Sequence, residues 1–194
     1  LTAEHETKWI SLFDGKSLEG WKVGNNANTF SIEDGTIAVN GNVAHLFYDG
    51  SVQDHSFKNF EFSADVKTLP GSNSGIYFHT EFQQSSWPQK GYEAQINNSH
   101  TDWRRTGSLY AIEDVRETYA NDNEWYTEYI KVEGKNILIK INGKTVVDYT
   151  EPSNIKRPEG MKERVLSKGT FALQGHDPKS KVYFKNIKVR VLPD

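Results

Sequence analysis

The chain has 194 residues, 23 Lys plus Arg against 26 Asp plus Glu, and a formal net charge of −3. That balance excludes a broad basic field for nucleic acid, and no apolar run approaches the roughly 20 residues of a membrane-spanning helix. Cys is absent, which excludes disulfide scaffolds, thiolate zinc sites and thiol catalysis. The predicted elements are almost all strands. Phe30–Glu33 and Thr36–Asn40 flank an Asp34-Gly35 turn, and His45–Tyr48 follows. Phe60–Lys67 alternates apolar and polar residues with period two. Gly75–Glu81 and Tyr92–Asn97 come next. Tyr129–Val132 and Asn136–Ile141 are joined through Gly134-Lys135, and Asn142-Gly143 leads into Thr145–Tyr149. Thr170–Gln174 and Lys181–Val191 close the chain. Helical turns are expected only at Ile112–Tyr119 and Met161–Leu166, inside the irregular stretches Asn97–Glu124 and Glu151–Lys168. Long loops of this kind in a compact domain carry function. Short strands with Asn-Gly and Asp-Gly turns predict an all-β, two-sheet antiparallel sandwich, with residues 1–194 as one domain.

Strand alternation sorts side chains between sheet faces. Tyr77, His79 and Glu81 share one face of their strand, opposite Ile76, Phe78 and Thr80. Glu93, Gln95 and Asn97 oppose Tyr92, Ala94 and Ile96. Gln174 and His176 oppose Phe171 and Leu173. If these strands are neighbours, Tyr77, His79, Glu93, Gln95, Gln174 and His176 line one groove. Trp9, Trp21 and Trp125 are read as core or edge packing, and His5, His45, His55 and His100 as ordinary polar residues. There is no phosphate-binding Gly-rich loop, no Gly-x-Ser-x-Gly elbow and no His-Glu-x-x-His. The Glu-x-Asp-x-x-Glu strand of laminarinase-like jelly rolls is also missing. Glu93 with Asp65 or Glu81 is the remaining carboxyl pair for ordinary glycoside hydrolysis.

Several ordered motifs carry a family resemblance. They are the Trp9–Trp21 segment, Ser72–Phe78, Gly91–Ile96, Thr106–Tyr110, Glu124-Trp125-Tyr126, Leu173–Asp177 and Val182–Ile187. Together they resemble the 3-keto-disaccharide (3-keto-glycoside) hydrolase domain family, from Trp9 to Leu192. The resemblance implies a concanavalin A-like jelly roll of the lectin and glucanase type, action on glycosides oxidised at C3, and export to the periplasm or beyond the cell. Relatives usually carry Arg where this chain has His79.

A 3-keto group makes the C2 proton acidic, so the chemistry needs a base, a stabiliser for the enolate oxygen and an acid for the leaving group. One divalent metal chelating the C2 and C3 oxygens would also serve. Glu93, His176 and His79 are the catalytic candidates, as acid and base or, for Glu93 and His176, as metal ligands. Asn73, Tyr77, Gln95, Gln174, Trp103 and Arg105 are the sugar-binding candidates. The expected partner is a carbohydrate substrate, with no nucleic acid, no membrane span and oligomeric state left open. A non-catalytic carbohydrate-binding module or lectin on the same fold is the alternative, and a glycosidase acting on unoxidised glucans a third.

Overall fold

The computed structural model describes residues 8–194; His5 lies outside the described residues. Thirteen strands follow in order: β1 (Ile10–Ser11), β2 (Trp21–Val23), β3 (Phe30–Glu33), β4 (Thr36–Val39), β5 (Ala44–Tyr48), β6 (Phe60–Thr68) and β7 (Ser74–Thr80). After these come β8 (Tyr92–Ile96), β9 (Tyr126–Glu133), β10 (Asn136–Ile141), β11 (Lys144–Thr150), β12 (Thr170–Gly175) and β13 (Val182–Val191). They form two antiparallel sheets. The larger runs β11-β10-β9-β6-β13-β4-β3, with β1 also paired to β13, and the smaller runs β2-β5-β12-β7-β8. This is a jelly-roll sandwich. The expected helical turns at 112–119 and 161–166 are turns and bends, because the loops fold through side-chain hydrogen bonds rather than a helical ladder. Among the described residues no helix is long and apolar enough to cross a membrane.

The hairpins follow their turn residues. Asp34 and Gly35 (φ 51° and 75°) and Asn142 and Gly143 (φ 48° and 81°) all take the left-handed region that a tight hairpin with two positive φ angles demands. Between the sheets, alternate residues of β6, β9, β10 and β13 meet alternate residues of β5, β7, β8 and β12. Phe171 is the hub, with ring centroids 4.8, 4.9 and 4.6 Å from Phe57, Phe60 and Phe62. Trp21 packs edge-on against Tyr48, and its indole N–H donates to the Leu12 carbonyl at 2.8 Å. Trp9 and Trp125 are each 36% exposed rather than packed away. The Lys185 ammonium lies over the Trp125 ring, and Lys188 and Arg190 lie over Trp9, so these indoles are sheltered by cations.

The smaller sheet does more than close the core. Its outer face is also largely buried, with Phe47, Tyr77, Ala172 and Phe82 forming a second apolar cluster. The two long loops fold over that face. Beyond β8, the segment Thr106–Tyr110 pairs with it like an extra strand: Gln95 N–H donates to Ser108 O, Gly107 N–H to Gln95 O and Tyr110 N–H to Glu93 O, all at 2.9 Å. Ala94 and Leu109 face each other across this pairing.

Candidate functional site

Antiparallel pairing sets Tyr77 opposite Glu93 and Gly75 opposite Gln95 on β7 and β8, with Ala172 opposite Tyr77 on β12. Period-two alternation therefore delivers Tyr77, Glu93, Gln95, Gln174 and His176 to one side of the smaller sheet. There they line a cavity of about 210 Å³ together with Asn73, Trp87, Asp102, Tyr110 and Arg164. Asn73 reaches it from the turn before β7, its amide N–H bonded to Ser180 Oγ at 2.8 Å.

His79 does not join them, although its strand position predicted that it would. The register between β7 and β12 slips: Thr170 pairs with Thr80, but Ala172 pairs with Tyr77. The extra residue is taken up as a bulge, and His79 sits at φ 54°. Its ring turns away and is buried against Phe60 and Phe78. Nε2 bonds the Lys58 carbonyl at 2.8 Å, and Nδ1 accepts the Ser167 amide N–H at 3.0 Å. That pattern requires a neutral ring with its proton on Nε2, in accord with burial pushing its pKa down to about 4. The catalytic part expected of His79 falls away, and a structural one takes its place.

Trp103 and Arg105 also lie off the cavity. Trp103 is exposed and stacked by the Arg104 and Arg116 guanidiniums. Arg105 braces its own loop, donating from Nη1 to Asn97 Oδ1 and to the His100 carbonyl at 2.9 Å. Neither Asp65 nor Glu81 pairs with Glu93. Asp65 belongs to the larger sheet, bonded to Thr127 and Asn186, and Glu81 is exposed beyond the end of β7. Asp102, from the first long loop, is the second carboxylate in the cavity wall.

Glu93 is buried, and its Oε2 accepts no hydrogen bond. Burial pushes its carboxyl up to about 8, against the opposing pull of the Arg164 charge and the Tyr77 hydroxyl. The Tyr77 phenol is pushed well above its usual value, first by burial and then by the Glu93 charge. Gln174 Nε2 donates to the Tyr77 hydroxyl at 3.0 Å, and lies 3.4 Å from His45 Nε2. Burial, with the charge of His176, lowers His45 to about 3, so this ring stays neutral beneath the site. Trp87, 43% exposed, stands over both imidazoles, 5.7 Å from His45 and 5.3 Å from His176 between ring centroids.

His176 Nδ1 bonds Asp177 Oδ2 at 2.8 Å, which leaves Nε2 as the ring nitrogen free to take a proton. Hydrogen bonds from His176, Ser180 and Lys179 hold the Asp177 carboxyl below the usual carboxylate range against a rise from burial. The arrangement orients an imidazole with a fixed carboxylate, as an acid–base histidine needs.

His100, His176 and Asp177 bring ligand atoms within 4.8 Å of one another, the grouping among the described residues that could hold a metal ion. Glu93 is not part of it, so the expected Glu93–His176 ligand pair is not assembled. The donor set is also thin. Asp177 accepts four hydrogen bonds, from Lys179 N, Ser180 N, Ser180 Oγ and His176 Nδ1, which fills its lone pairs. His100 Nδ1 accepts the Asp102 amide at 3.0 Å. Two imidazole nitrogens remain, fewer than the three protein ligands usual for a catalytic zinc. This grouping falls short of the three-ligand set of a catalytic zinc.

Amide side chains, the rings of Tyr77, Trp87 and Tyr110, two carboxyl groups and an imidazole line one cavity of a jelly roll, in keeping with a carbohydrate-active protein of the glycosyl hydrolase-like type. The chain belongs to the 3-keto-alpha-glucoside-1,2-lyase-like domain family, whose model matches residues 8–190. It is 27% identical to a 3-keto-disaccharide hydrolase of Bacteroides thetaiotaomicron, over 95% of this chain and 78% of that protein. A Parabacteroides distasonis protein assigned to the glycosyl hydrolases has the same fold at TM-score 0.81 and 26% identity, over 100% of this chain and 98% of that one. A carbohydrate binding module, CBM66 from Bacillus subtilis, shares the fold at TM-score 0.62 and 15% identity, over 88% of this chain and 95% of that one.

Sequence reasoning missed Arg164, Asp102 and Tyr110, read His100 as an ordinary polar residue, and offered Trp87, before Pro88, only as one loop aromatic that could stack on a sugar. All five sit on loops. The only signal was the length of those loops, which predicts function without naming residues.

Proposed function

We propose that this chain cleaves 3-keto-glycosides by elimination followed by hydration. His176 Nε2 takes the C2 proton, and the C2–H electrons move to the C3 oxygen as an enolate. The enolate collapses, C1=C2 forms, and the C1–O bond breaks. Glu93 gives its proton to the departing oxygen. Water then adds to C1 of the unsaturated ketone and gives its spare proton to the Glu93 carboxylate, while His176 returns its proton to C2. Asn73 and Gln174 hold sugar hydroxyls, Gln95 binds a further sugar oxygen, and Trp87 covers the ring.

The observation that carries this reading is the pairing, in one cavity, of a carboxyl kept protonated near neutral pH with an imidazole backed by Asp177. A carboxyl that can give a proton and an imidazole nitrogen free to take one are the two parts an acid–base pair needs. Export from the cytoplasm belongs to the same reading; fractionation of cells making the protein checks it.

The test mixes the protein with a 3-keto-glucoside bearing a chromogenic leaving group, beside the unoxidised glucoside. Release from the keto substrate alone is expected. Binding of both sugars without release would replace the enzyme with a binding module, a reading that Trp87 at the cavity mouth favours. Release from the unoxidised glucoside would make it an ordinary glycosidase.

A further inference from the structure

Arg164 reaches the cavity from outside the sheet, on the loop between β11 and β12. Its Nε is buried and makes no hydrogen bond, and among the described residues Arg164 forms no ion pair within 4.0 Å. Among the described residues its one side-chain hydrogen bond is a long donation from Nη1 to the Tyr110 carbonyl, 3.4 Å. Gln95 Nε2, in the same cavity wall, is likewise buried and without a partner. Buried donors without acceptors are expensive and rare. Two of them in one cavity mark the place of an acceptor oxygen brought by a ligand.

The loop that carries Arg164 is strapped down at many points. The Arg164 carbonyl accepts Arg157 Nε at 2.9 Å, and Arg157 Nη2 donates to the Tyr92 and Tyr149 hydroxyls at 2.8 and 3.0 Å. Glu151 Oε2 accepts the Leu166 amide N–H at 2.7 Å and the Tyr92 hydroxyl at 2.6 Å. The Ser167 amide is held by His79, and the Glu163 carbonyl accepts the Gly91 amide at 3.0 Å. A guanidinium held this way is set in place before the ligand arrives, which is the condition for strong electrostatic stabilisation.

We propose that Arg164, together with Gln95 from the same cavity wall, binds the substrate's C3 oxygen and makes the site selective for the oxidised sugar. This rests on the reading of the cavity as a 3-keto-glycoside site. A ketone oxygen offers two lone pairs to two N–H donors. As C2–H breaks, that oxygen gains full negative charge, and a permanently charged guanidinium interacts more strongly with it than with the starting ketone. An unoxidised C3 hydroxyl develops no such charge.

The experiment compares wild type, Arg164→Ala and Arg164→Lys for kcat and KM on the chromogenic 3-keto-glucoside. Calorimetry gives the affinity of each for the keto and the unoxidised glucoside. Arg164→Ala is expected to lower kcat by roughly 10²–10³-fold. Its affinity for the unoxidised glucoside should stay within about threefold, and added guanidinium should restore part of the rate. Lys should recover part of kcat, having charge without the planar fork. An unchanged kcat, or an equal loss of affinity for both sugars, would overturn the assignment. If wild type binds the keto sugar without cleaving it, the enzyme reading fails while the affinity ratio still decides Arg164: lost keto preference in Arg164→Ala supports it, an unchanged ratio sinks it. If wild type binds neither sugar, both ideas fall.

Discussion

The Glu93 side chain folds over Gly75 on the neighbouring strand, so closely that a Cβ at Gly75 would lie 2.0 Å from Glu93 Oε2. The absence of a side chain at residue 75 is what lets the carboxyl lie flat in the cavity wall. Gly75→Ala should therefore displace Glu93 without disturbing the core behind it. Turnover should fall by about 10²-fold, as for misplacement of a reacting group by about 1 Å. Kinetics with a thermal melt checks this; full activity in a well-folded variant would show that the carboxyl has room elsewhere.

The acid assigned to Glu93 works only while protonated. With its pKa near 8, kcat/KM should be level through neutral pH and decline as pH rises past about 8. Glu93→Gln should lower the rate by about 10²–10⁴-fold and remove that alkaline decline. A pH profile of both proteins tests it.

Because Asp177 has its lone pairs filled, chelator treatment is expected to leave turnover unchanged. Loss of activity with EDTA, restored by one divalent ion, would return His100 and His176 to the role of ligands.

Stability should respond to pH in two opposed ways. The folded-state pKa of His79 is about 4 against 6.5 for the free side chain. Folding thus favours its neutral form. That contribution is whole above pH 6.5 and disappears as pH falls from 6.5 to 4, a difference of about 3 kcal/mol. Glu128 is fully buried with neither carboxyl oxygen partnered, and burial raises it well above 4.5. Its contribution is whole below pH 4.5 and shrinks as pH rises. Urea titrations from pH 4 to 9 separate the two. His79→Gln should lose stability at pH 7 and make the acid side shallower, the remaining slope belonging to His45, whereas Glu128→Gln should make the alkaline side shallower, the remaining slope belonging to Glu93. Unchanged slopes in both variants would contradict these assignments.

The strands were legible because their side-chain order and turns agree. Asn142-Gly143 and Asp34-Gly35 name their own hairpins, and period two carried Tyr77, Glu93, Gln95, Gln174 and His176 to a common face. The same rule failed at His79, where one bulged residue rotates the side chain off the face it was counted on. Bulges leave no mark in alternation. β9 begins at Tyr126, three residues before its expected start, because Glu128 is buried among apolar neighbours and breaks the pattern. Arg164, Asp102 and Tyr110 were beyond reach for a different reason. Their positions depend on loop hydrogen bonds between residues far apart in sequence, such as Arg157 to Tyr92.

The strand-like pairing of Thr106–Tyr110 along β8 has a consequence for crowding among copies of the chain. An uncovered outer strand offers its free amides and carbonyls to any passing extended segment, the first step toward aggregation. Here that side of the smaller sheet is already taken, and its opposite margin, β2, is only three residues long. Strand addition is thereby steered to the larger sheet, whose margin strand β11 presents the charges of Lys144 and Asp148. The sheet that holds the cavity is protected from its own kind by the loop that helps build the cavity.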